Sequence, residues 1–123
     1  MTDTSERPAA RGCVAAAVVE GSDLSAAVGA HFGRSPRFLL VRDSGASVEA
    51  FDNSNAEAAQ GAGPATASLL IRNGVTAVLA GHFGPKAEDA LRAGGIVPIV
   101  VAEGTKVEEA LAGLQPEMLQ APD

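Results

Sequence analysis

Gly29-Ala30-His31-Phe32-Gly33 and Ala80-Gly81-His82-Phe83-Gly84 place both histidines of the 123-residue chain in the same tripeptide, His-Phe-Gly. An imidazole can ligate a transition metal or move a proton, and the flanking glycines permit turns tight enough to bring backbone against a ligand. The surroundings of the two histidines differ. Arg34 and Arg37 follow His31 with Ser35 and Pro36 between them, so this loop is locally basic in a chain of formal net charge −6. Guanidiniums match anionic groups in geometry, while neutral imidazole suits a soft or borderline metal. His82 comes just after an apolar run and just before Pro85, where a strand ends and a helix begins. Ligand crevices form at such strand ends, and the free amides of the following helix favour anions. The plainer alternative is a pair of turn histidines beside solvated arginines.

The other reactive groups are few. Cys13, the single cysteine, reads as a small buried hydrophobe at the start of a strand. A Cys-His nucleophilic pair would require it to meet a histidine in space. Asp52, Asn53 and Asn55 open like a calcium loop, but Glu57 stands where the glycine belongs and Gly63 where a bidentate carboxylate is needed. Gly61-Ala62-Gly63 lacks the lysine of a phosphate loop and reads as the entry to a helix. One Cys and two His cannot build a disulfide framework or a closed four-ligand zinc or iron-sulfur site. The negative charge argues against non-specific nucleic-acid binding. The apolar run from Cys13 to Val19 ends at Glu20 and is too short for a membrane span or a secretory signal. These features predict a soluble cytoplasmic protein, and one cysteine fits a reducing compartment.

The elements that must position these residues follow from periodicity. With 46% hydrophobic residues, four Phe and neither Tyr nor Trp, the chain fits one compact domain. Residues 1–12 lack periodicity and read as a flexible N-terminal extension, 13–115 as the domain, and 116–123 as a C-terminal tail. Val14 to Val19 is a buried strand by its β-branched content. Phe38 to Arg42 and Val48 to Phe51 form a hairpin about Asp43, Ser44 and Gly45. The connection from Gly21 to Arg37 is longer than most, a mark of functional loops. Pro64 opens a helix that stops at Asn73 and Gly74, Val75 to Ala80 is a strand, Pro85 opens a second helix ending at Gly94, and Ile96 to Ala102 is the last strand. Thr105 with Glu108 forms a capping box for a third helix, whose apolar stripe is Val107, Ala110, Leu111 and Leu114. The order β-β-β-α-β-α-β-α predicts an α/β fold, a five-stranded mixed sheet with flanking helices.

Residues His31 to Phe38, Asn53-Ser54-Asn55-Ala56-Glu57 with Gly61-Ala62-Gly63, Ala80-Gly81 with Gly84-Pro85-Lys86-Ala87, and Gly95-Ile96 with Val107-Glu108-Glu109-Ala110-Leu111 occur in this order. In these segments the chain resembles the dinitrogenase iron-molybdenum cofactor biosynthesis family, which includes NifX- and NafY-type accessory proteins and the C-terminal domain of NifB. The resemblance implies a ribonuclease H-like fold. It also implies a non-catalytic accessory role: binding or carrying an iron-sulfur or molybdenum-containing cluster, the nitrogenase cofactor or its precursor, for delivery to a client enzyme. The paired carboxylates of a nuclease are missing from the first and fourth strands. The histidine implicated as metal ligand in some relatives maps to His31. The expected cofactor-binding set is His31, Phe32, Gly33, Arg34, Arg37, Gly81, His82 and Gly84, with His82 included on its local placement alone. Expected partners are the donor and acceptor proteins of cofactor assembly, with no nucleic acid or membrane, and the protein itself a monomer or weak homodimer. The metal-free alternative is a small-molecule or anion-binding regulatory module that uses the helix N-termini after Gly63 and Gly84.

Overall fold

A computed structural model describes residues 13–42, 47–57 and 60–114. The extension 1–12, the tail 116–123 and the turn Asp43-Ser44-Gly45 lie outside the described residues. Five strands and three helices follow one another as β1 (Cys13–Val18), β2 (Arg37–Arg42), β3 (Ser47–Asp52), α1 (Ala62–Arg72), β4 (Ala77–Ala80), α2 (Pro85–Ala93), β5 (Val97–Val100) and α3 (Val107–Ala112). The sheet order is β3-β2-β1-β4-β5. β2 is antiparallel to β1 and to β3, whereas β1, β4 and β5 run parallel. The five-stranded mixed sheet with flanking helices expected from the sequence is the observed one.

The period of two along β1 assigns its side chains to two cores. Cys13, Ala15 and Ala17 face a layer with Ala67 and Leu70 of α1 and Ala87 and Leu91 of α2. Val14, Ala16 and Val18 face the opposite layer, covered by Ala26 and Val28 of the long connection and by Val107 of α3. Four of these six β1 side chains, Ala15 to Val18, have no exposed surface at all. Alanines at the centre of the sheet let the helices approach closely, so few aromatics suffice to fill the space.

Several boundaries differ from the sequence reading. Helix α1 starts two residues before Pro64, because amides of the first turn have no partner within the helix and a proline there costs nothing. Pro98 sits within β5, an edge strand paired only with β4, where the missing N–H can be tolerated. The capping box of Thr105 and Glu108 does not form. Lys106 is the N-cap of α3 without a side-chain bond. Instead the N–H groups of Val107 and Glu108 donate to the carbonyls of Ala26 and Leu24, both at 2.9 Å. The connection after β1 caps the last helix with its own backbone, and Asp23 stiffens that connection by accepting from the Ser25 hydroxyl and amide.

Cys13 is only 3% exposed, as expected of a small core residue. Burial pushes its thiol above the ordinary range, opposed by the nearby Arg42 guanidinium. The unfolded chain therefore loses this proton before the native one does. Stability linked to the thiol is complete below about pH 8.5, the ordinary thiol value, and falls as pH rises beyond it. Cys13→Ala should flatten the alkaline decline of the thermal midpoint. An equally steep decline in the variant would assign the effect to other groups.

Candidate functional site

The parallel strands β1 and β4 end side by side, and the chain after β1 returns into the gap between their ends. The Gly29 amide donates to the Ala17 carbonyl at 2.7 Å, and the Gly29 carbonyl accepts from the Gly81 amide at 2.9 Å. The Phe32 amide then donates to the His82 carbonyl at 3.0 Å. Three consecutive backbone bonds thus lock the two His-Phe-Gly segments to the sheet and to each other. Beneath them the phenylalanines form an apolar base. Phe32 packs on Phe83 with ring centroids 5.4 Å apart and on Phe38 at 5.6 Å, and Phe38 stacks on Phe51 at 6.0 Å. Phe32 is 1% exposed. Alternation of buried Phe and exposed His turns each histidine outward, and the two imidazoles meet with centroids 5.8 Å apart and planes at 83°.

Glycine is required where these loops touch their surroundings. A Cβ at Gly33 would stand 2.8 Å from Gly63 Cα and 2.9 Å from Gly63 N, atoms of the α1 first turn that cannot swing aside. A Cβ at Gly81 would stand 2.9 Å from the Ala30 carbonyl oxygen. Both close approaches serve one arrangement, in which the His31 loop rests against the start of α1 and the His82 loop leads into α2. The helices are capped by Gly61 and Gly84 without side-chain bonds. Their first-turn amides leave partial positive charge on this side of the molecule.

Asn53 does what sequence reasoning did not anticipate. It is 5% exposed, and its amide donates to the Ser35 carbonyl at 2.9 Å and the Thr66 hydroxyl at 3.1 Å. Its side-chain oxygen accepts from the Asn55 amide at 3.1 Å, and its own N–H donates to Pro36 at 2.8 Å. The Ser35 hydroxyl in turn donates to the Val18 carbonyl at 2.8 Å. One buried network therefore ties the loop after His31 to the end of β1, the end of β3 and the body of α1. The advance signal is that Ser35 and Asn53 both lie in segments that carry the family resemblance, though nothing in their spacing joins them.

Of the eight expected residues, the structure brings together His31, Phe32, Gly33, Gly81 and His82, with Gly84 opening the adjacent helix. The Arg34 side chain lies next in the loop and donates to the Ala56 carbonyl at 3.1 Å. Arg37 is engaged by Asp52 at 3.2 Å and by the Gly21 carbonyl at 3.1 Å, so its guanidinium serves the β2–β3 edge. A Cys13-His pair does not form. Cys13 begins β1 and the histidines stand beyond its far end, about 15–20 Å away at the rise of an extended strand. Strands β1 and β4 carry no carboxylate. Among the described residues no three or more His, Cys, Asp or Glu gather where they could hold a metal ion. No described helix is long and apolar enough to cross a membrane. The site offers two adjacent exposed imidazoles over a base of buried phenylalanines, with Arg34 further along the same loop.

Residues 13–117 match the family profile described as dinitrogenase iron-molybdenum cofactor. The chain is 30% identical over 84 residues to an uncharacterized protein of Methanocaldococcus jannaschii, covering 66% of this chain and 70% of that one. In three dimensions it is similar to the apo form of the orange protein of Desulfovibrio gigas, with a TM-score of 0.79 and 30% identity over 89% of this chain and 92% of that one. A Thermotoga protein described as a NifB candidate superposes with a TM-score of 0.70 at 32% identity, again over 89% and 92% of the two chains.

Proposed function

Because the chain belongs to the dinitrogenase iron-molybdenum cofactor family, we propose that it is a non-catalytic accessory protein that holds an iron-sulfur or molybdenum-containing cluster, the nitrogenase cofactor or a precursor, and passes it to a client enzyme. The observation that carries this reading is the exposed His31 imidazole on a loop whose backbone is fixed from both sides, by Gly29 and Phe32 against the strand ends and by Asn53 through Ser35. Such a ligand is rigid in position yet open to a bulky cargo.

The neighbouring charges suit an anionic cluster. Arg34 lies three residues after His31 in the same loop, the start of α1 adds partial positive charge with no acidic residue in its first turn, and Glu88 in the first turn of α2 is paired with Arg92. Close backbone approach at Gly33 and Gly81 packs the His31 loop against the start of α1 and the two loops against each other. The small number of protein ligands suits a carrier, since a cluster held at few points can be handed on. In this reading the donor and acceptor are cofactor-assembly proteins, and the exchange takes place in the cytoplasm without nucleic acid or membrane.

Anaerobic incubation with isolated or synthetic cluster, followed by desalting, visible absorption and metal analysis, tests the assignment. His31→Ala should retain about tenfold less metal or lower, at least the loss seen when even an indirect partner of a metal site is removed. Equal retention by variant and unaltered protein would remove His31 as the ligand.

A further inference from the structure

His82 has no part in the resemblance that singles out His31, yet the fold delivers it to the same place. Its ring is exposed, its centroid is 5.8 Å from that of His31, and its carbonyl is the acceptor that fixes the Phe32 amide. Two imidazoles that share one ion, each with nitrogen about 2.0–2.1 Å from the metal, have centroids about 5–6.5 Å apart for angles from tetrahedral to linear. The observed separation lies inside that window. We propose that His31 and His82 form a two-imidazole site for a single late first-row transition-metal ion, with the remaining coordination positions open to exogenous ligands.

The ligand chemistry selects the ion. Calcium and magnesium take oxygen sets, whereas copper, nickel and zinc accept imidazole, the donor that both residues of the pair supply. Among the described residues no third His, Cys, Asp or Glu joins the pair. The pair is also assembled in advance. The bonds from Gly81 to Gly29 and from Phe32 to His82 join the two loops directly, and Phe32 packs on Phe83 below. Binding therefore orders little beyond the two side chains themselves. The inference uses the loops of the proposed cargo site and gives that site a second protein ligand, so that a cluster metal would be gripped at two points rather than one.

The full chain titrated with Cu(II) alone, followed by calorimetry and electron paramagnetic resonance, tests the pair. The expected result is one ion per chain with hyperfine coupling to two imidazole nitrogens. His31→Ala and His82→Ala should each weaken binding about a hundredfold, the loss expected when a second linked contact is removed, and each should leave one coupled nitrogen. His82→Gln, which keeps a polar side chain of similar reach, should behave as His82→Ala, and unchanged thermal midpoints establish that the variants are folded. A one-nitrogen spectrum in the unaltered protein, or native Cu(II) affinity in either His82 variant, overturns the proposal. Two-nitrogen Cu(II) binding without cluster uptake would overturn the carrier reading alone, and cluster uptake with one-nitrogen Cu(II) binding would overturn the pair alone.

Discussion

Phe32→Ala should lower stability by about 3–5 kcal/mol, the range for emptying a buried phenylalanine position. Phe32 is 1% exposed and touches Phe38 and Phe83, so its removal opens a void beneath both histidine loops. A domain of this size has about 5–15 kcal/mol of stability in total, and the loss is a large share of it. Chemical denaturation should show a lower midpoint with an unchanged slope. Phe32→Leu, which restores most of the volume, should recover more than half of the deficit. A Phe32→Ala loss below about 1 kcal/mol would mean that the surrounding side chains collapse into the space and that the aromatic base does not support the site.

Asn53→Ala should cost about 2–4 kcal/mol for a different reason. The substitution creates little void but strips the Ser35 carbonyl, the Thr66 hydroxyl and the Asn55 amide of a partner in a place that water does not reach freely. Each buried polar group left unsatisfied costs about 1–3 kcal/mol, and partial relaxation at the half-buried Asn55 end reduces the sum. Asn53→Asp separates geometry from donation, since it keeps the acceptor and loses the amide that serves Ser35. Both variants should also loosen the loop after His31, seen as faster amide exchange at Ser35 and Asn53. Native exchange rates there, with native stability, would show that the loop is held by its other contacts.

Much of the architecture was legible in the chain because it rests on side-chain periodicity. The alternation Cys13 to Val18 assigns a two-faced central strand, and Pro85 with Gly94 frames a helix that the structure places at Pro85–Ala93. The paired His-Phe-Gly segments were visible as a repeat, although their meeting was not. That contact depends on the return of the chain at Gly29 between two strand ends, which backbone bonds arrange and side-chain types do not encode. The bonding role of Asn53 is hidden for a related reason, since its partners Ser35 and Thr66 lie 18 and 13 positions away in the sequence. The capping of α3 is not encoded in its side chains, because its acceptors are backbone carbonyls of Leu24 and Ala26, which any residue could supply. Arg37 stands close to Arg34 in the chain, but the hairpin register sets it opposite Asp52.

The union of the long connection with the start of α3 has a consequence for biosynthesis. Val28 exchanges hydrogen bonds with Gly104 and Thr105, and Leu24 and Ala26 receive the amides of Glu108 and Val107. These contacts join the first quarter of the chain to its last, and such distant pairings form late because loop closure precedes any gain from them. The stretch that leads into Gly29 and His31 therefore stays without its final support while the ribosome is still making the residues around 104–108. A nascent chain has its strands before the His31 loop has its final support, and the face that carries both histidines is complete only once synthesis has passed α3.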